Sequence, residues 1–254
     1  VETVRDKDSL KISFDLPDEQ PYWESKPVQF LAHILGEEGE GSLLSYLKKK
    51  GLALGLETST WWRMFHVKVL LTENGKKNYE KIVEATYSYI SLMKKEGLKE
   101  YLFNERKLLA QLDLKYLEPK SSMSRASQYS ASMLYYPVET FLSDHYLFHK
   151  YSPEDFDKFL SFLKTDNMQV SLFGKSKQTQ KTEPYYGIGY QTENLSKEFL
   201  HRLDTVEVFP EFFYPEPNPF VPDHLEMVQA PKAGAPTDEV YKEFSRIYSQ
   251  IDTE

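Results

Sequence analysis

Cysteine is missing from all 254 residues. Disulfides, thiolate zinc sites, iron–sulfur clusters and cysteine nucleophiles are excluded together. Long apolar runs are missing as well; nothing approaches the ~18 residues that span a bilayer, so no membrane partner is expected. The opening VETVRDKDSLKISF carries no charged-then-apolar leader. With no cysteine to suggest an oxidising compartment, the expected location is cytoplasmic. Nor is there an excess of positive charge: 31 basic side chains face 39 acidic ones, a net of −8. A surface that tracks phosphates needs the opposite balance, so nucleic acid is not an expected partner. Three nucleotide and nucleophile signatures are absent, namely G-x-S-x-G, the P-loop and G-x-G-x-x-G. Gly187-Ile188-Gly189 is a fragment of the last, and a turn is its simpler reading.

What is present is ordinary globular material. Hydrophobic residues are 40% and charged residues 28%, typical of a folded domain with a sizeable core. Leu10, Ile12, Phe14 and Leu16 alternate with polar residues, which predicts a strand with one buried face. Phe65, Val67, Val69 and Leu71 predict another over 63–71, and Met168, Val170 and Leu172 a third. Residues 52–60 are expected to be extended. Helical spacing follows Pro27, ends at Gly36, and resumes after Ser42, a natural N-cap, until Gly51. Thr72 is expected to cap one long helix to about Glu96. Further helices are expected at 99–116, 122–135, 138–149 and from Ser152-Pro153. Five prolines within 208–222 dictate an extended connector. A last helix is expected after Thr237, with Val240, Phe244, Ile247 and Ile251 on one face. The expected fold class is α+β, a mixed, largely antiparallel sheet covered by helices on one face. The expected domains are 1–207, the connector 208–236 and the helix 237–254.

Chemistry is sparse. On the expected helix 138–149, His145 and His149 lie four apart, so both could face one metal ion. Tyr146 stands where a zinc helix of the H-E-x-x-H type has its glutamate, and no third ligand is evident. A plain helix surface is the simpler reading. Glu37 and Glu38 are paired carboxylates in a glycine-rich loop, and Trp61-Trp62 is either a ligand platform or a pair split between core and surface.

The segment DLPDEQPYWESKPVQFLAHILGEEGEGSLLSYLKKKGLALGL, with VLLTENG, MLYYPVE, YSPEDF and PEPNPFVPDHLEMV, resembles the second domain of insulinase/pitrilysin-type zinc metallopeptidases. The resemblance covers roughly residues 4–228 and stops near Gln229. It implies a peptidase of four related α+β domains closing around a chamber. The zinc motif H-x-x-E-H of that family is absent here, so the resemblance places zinc and the catalytic residues in the parent enzyme, with none on this chain. It also implies a substrate exosite that holds a peptide N-terminus and adds the peptide to a sheet edge. Position by position, that site falls on His33, Gly36, Glu38, Leu56, Thr58 and Thr60. A carboxylate at Glu38 suits an α-ammonium group, and an edge strand offers backbone groups to any sequence. Family members carry Gly-Gly where this chain has Thr58-Ser59. The implied partners are peptide substrates and the remaining domains of the parent peptidase. The alternative is a non-catalytic structural subunit of the processing-peptidase or core-protein type.

Overall fold

The alternating stretch at the start of the chain forms β1 (Ser9–Asp15), with Leu10, Ile12 and Phe14 fully buried. It is one of two inner strands of a four-stranded antiparallel sheet in the order β2 (Ala53–Trp61), β3 (Met64–Leu71), β1, β4 (Met168–Phe173). The register stacks the apolar face: Ile12 lies opposite Val67 on one side and Val170 on the other. The computed structural model describes residues 8–118, 120–174, 179–221, 238–241 and 245–248. The chain divides into two units, Val1–Val221 and Pro222–Glu254.

Helices cover the apolar face of the sheet. They are α1 (Pro27–Leu35), α2 (Leu43–Lys49), α3 (Glu73–Lys77), α4 (Tyr79–Glu96), α5 (Glu100–Lys115), α6 (Ser122–Tyr135), α7 (Pro153–Leu160) and α8 (Lys197–Asp204). Their caps are those the sequence proposes where it proposes any. Ser42 accepts from Ser45 N–H, Thr72 from Gly75 N–H and Ser152 from Asp155 N–H. One core joins Phe14, Phe30, Phe65, Tyr89, Phe156 and Phe159, each burying enough apolar surface to contribute about 2 kcal/mol.

Four expectations are corrected. The helix from Thr72 breaks at Asn78, whose φ of −119° and ψ of 34° leave the helical region. One turn earlier, Gly75 sits close against the Leu52 backbone. Residues 138–149 are successive turns, not a helix. Their backbone runs on three-residue bonds such as Ser143 N–H to Thr140 O, and Glu24 O accepts from both His149 and Lys150 N–H. Within 237–254 the described residues form strands, not the expected helix. Asp238–Tyr241 (β7) and Ser245–Tyr248 (β8) pair antiparallel, as β-branched and aromatic residues in DEVY and SRIY favour. Phe244 and Ile251 lie outside the described residues. Last, α8 was not anticipated, although Ser196 caps it through Phe199 N–H.

Residues 208–221 are extended, as their prolines require, but they are also docked. Phe212 is buried, Phe213 N–H reaches Gly41 O at 3.3 Å, and the Tyr101 hydroxyl donates to Pro215 O at 2.6 Å. The Gly187-Ile188-Gly189 fragment is a turn, with Gly187 at φ 67° between two short strands, β5 (Lys181–Thr182) and β6 (Gly189–Tyr190).

Candidate functional site

β2 lies at the end of the sheet. Among the described residues it pairs only with β3, so its other side keeps unpaired N–H and C=O groups. Leu56, Thr58 and Thr60 stand opposite Val69, Val67 and Phe65, which places them on the helix-covered face. Glu57 and Ser59 point the other way, and Glu57 pairs with Lys68 at 3.1 Å.

α1 runs beside this edge. Its buried stripe is Val28, Leu31, Ile34 and Leu35. The residues left partly open are Gln29, Ala32, His33 and, just past the helix, Gly36, which share a second face at spacings of three and four. Gly36 and Thr58 meet there. The Thr58 hydroxyl donates to Ala32 O at 3.0 Å. A Cβ on Gly36 would stand 2.7 Å from that same oxygen and 2.9 Å from Thr58 Oγ1, so only glycine allows this close approach. Burial, with the Arg106 charge behind it, holds the His33 imidazole below its ordinary pKa despite Glu37.

The loop after Gly36 is shaped by its own carboxylate, since Glu37 accepts from Gly39 N–H at 3.0 Å. Glu38 is exposed and forms no hydrogen bond or ion pair through its side chain with the described residues. The structure therefore brings Gly36 and Thr58 into contact, puts His33 on the same stripe, and places Thr60 farther along the edge.

At the N-terminal end of α1 the same stripe opens into a cavity of about 340 Å³, walled by Trp23, Gln29, Thr60, Trp62, Tyr135 and Tyr136 among others. Lys26 sits beneath it, 3% exposed, with the unusual φ of 46° for a non-glycine residue. Its ammonium donates to Asp144 O and His145 O at 2.7 and 3.0 Å. Sequence reading noted Trp61-Trp62 but missed the cavity, whose walls come from three distant parts of the chain.

The His145 and His149 pair does not form a metal face. With no helix under them, the spacing argument lapses. His149 Nε2 lies 3.0 Å from Asp144 Oδ1, while the His145 ring packs against Tyr136 and Tyr146. Among the described residues no group of three or more His, Asp or Glu side chains is placed to hold a metal ion.

Comparison with known proteins fits this architecture. Residues 1–109 match the model described as the peptidase M16 inactive domain, and residues 115–254 the middle or third domain of peptidase M16. The second match runs to residue 254, past the point near Gln229 where the resemblance had been expected to end. Both matches share one core, which holds Leu10 and Phe199 alike. The chain is 30% identical over 234 residues to the A-factor-processing enzyme of Saccharomyces cerevisiae, covering 89% of this chain and 23% of that one. It is 30% identical over 247 residues to human insulin-degrading enzyme, covering 94% and 24%. The crystal structure of pitrilysin superposes on it with a TM-score of 0.86 at 20% identity, covering 97% of this chain and 27% of that one. The chain thus spans about a quarter of the length of these relatives. On the strength of the two domain matches and the identity across nearly its whole length, the chain belongs to the M16, insulinase-type family of zinc peptidases.

Proposed function

We propose that this chain is the substrate-docking part of a zinc metalloendopeptidase and that it holds peptides by their N-terminus along β2. The observation that carries this reading is the free side of β2 lying beside an open stripe of α1, with an unengaged carboxylate at one end. An extended peptide laid there would gain backbone hydrogen bonds whatever its sequence. Its α-ammonium group would find Glu38, a charge-assisted bond that tells a free terminus from an internal amide.

The H-x-x-E-H motif is absent from its sequence, and no ligand cluster exists among the described residues. In this reading the parent enzyme carries the metal and the hydrolytic step elsewhere, and this chain contributes binding. Titration of a fluorescent peptide against the chain tests the idea. Acetylating the peptide N-terminus, or changing Glu38→Ala, should each weaken binding about tenfold, the worth of one hydrogen bond to a charged group. Identical curves for all three would end the anchoring role.

A further inference from the structure

The cavity at the N-terminal end of α1 carries a second recognition element. We infer that it is a side-chain pocket for a large apolar residue, above all an aromatic one, of a peptide whose backbone lies along β2. This rests on the docking reading and adds sequence preference to it.

The occupant follows from the walls. Four charged side chains border the cavity, two of each sign, and each is already engaged. Glu19 accepts from Val28 N–H at 3.1 Å and Asp18 from Gln20 N–H at 3.1 Å. Arg63 Nε donates to Leu16 O at 3.3 Å, and Lys26 is tied to the two carbonyls named above. Two of each sign, they leave the wall with no net charge. Beyond those charges the wall is mixed: the rings of Trp23, Trp62, Tyr135 and Tyr136 stand beside the polar Gln20, Gln29 and Thr60. A volume of about 340 Å³ lies at the small end for ligand sites. It holds one aromatic side chain and some water, and is tight for a cofactor.

The position follows from the groove. Thr60 belongs both to the β2 edge and to the cavity wall, and Gln29 belongs both to the open stripe of α1 and to that wall. From Gln29 to Gly36 the helix advances about 10 Å. An extended peptide covers that in about three residues. A terminus held beyond Gly36, at Glu38, therefore puts about its fourth or fifth residue at the cavity.

The turn supports a role for the ring. Trp61 pairs with Met64, so Trp62-Arg63 is a two-residue turn, and Trp62 takes φ 56°. Glycine ordinarily fills such a place. Here the largest side chain occupies it and stands 83% exposed at the cavity mouth. The ring meets Trp61 edge to face, with centroids 6.1 Å apart, and most of its surface is left open at the cavity mouth.

The test uses the 254-residue chain and peptides with a free N-terminus, in which a single Phe is moved through positions 2 to 7 of a Ser/Gly background. Fluorescence anisotropy should show one preferred position, the fourth or fifth, about tenfold tighter than its neighbours. In Trp62→Gly the preference should vanish, while acetylation of the peptide still weakens binding. Glycine suits the turn, so this variant keeps the fold; circular dichroism checks that. Absence of any Phe preference, with acetylation still costly, overturns the pocket and leaves the docking reading standing. A preference that survives Trp62→Gly also overturns it. A Trp62-dependent preference without an acetylation effect keeps the pocket and removes the anchor. Peptides that fail to bind at millimolar concentration overturn both.

Discussion

Changing Lys26→Met probes the buried ammonium that ties the start of α1 to residues 144–145. Burial pulls the Lys26 pKa from 10.5 down to about 8, with Asp144 and Glu19 opposing. In the unfolded chain the group returns to 10.5, so between pH 8 and 10.5 the unfolded state binds more protons than the folded one. Stability contributed by this residue therefore rises with pH through that window and is lowest below pH 8. For these two values the gain from pH 7 to pH 9 is about 1.4 kcal/mol, and to pH 10 about 2.5 kcal/mol. Methionine keeps the apolar stem and cannot titrate, so the variant lacks the gain. Burial raises the pKa of Tyr87, Tyr89 and Tyr214, but these act alike in both proteins and cancel in the difference. Urea unfolding at pH 7, 8, 9 and 10 gives that difference directly. It should move toward the wild type by roughly 1.4 kcal/mol by pH 9. A difference that stays flat from pH 7 to 10 would show that Lys26 is not desolvated in the folded protein.

Two further changes test packing. In Gly75→Ala the new Cβ would fall 1.9 Å from Leu52 O; because backbone must move on both sides, the loss should be about 3 kcal/mol in a thermal melt. A loss under about 0.5 kcal/mol would contradict that contact. Tyr101→Phe removes the hydroxyl bond to Pro215 O at a cost of about 1 kcal/mol. It should speed proteolytic cutting within 208–221, whereas unchanged cleavage would mean the connector is held without it.

Much of the fold is legible because local signals agree with tertiary ones. β1 and β3 read clearly, since each has one buried face and therefore alternates. α1 begins on Pro27 without a side-chain cap, while the serine caps of α2 and α7 are made as written. The failures have a common origin in distant groups. Residues 138–149 have apolar side chains at helical intervals, but Glu24 and Lys26 bind their backbone from across the chain and impose turns. Beside the break at Asn78, Gly75 lies against the Leu52 backbone, a contact between positions that no local window holds together. The candidate site divides the same way. A resemblance could nominate Gly36, Thr58 and a sheet edge over 56–60, yet that Gly36 and Thr58 touch is a fact of the folded chain. The cavity joins residues 16–29, 60–63 and 135–136, and no local pattern announces such a meeting.

The unpaired side of β2 also bears on self-association. A naked strand border invites copies of a protein to zip together. Here the usable ledge is short. The register slips between Ala53 and Gly55 at one end, and the chain doubles back at Trp62 on the other. About six residues lie between, roughly 20 Å of ladder, with Glu57 in their midst. Two such ledges laid side by side would meet over only a brief contact, so this border is a poor zipper between copies.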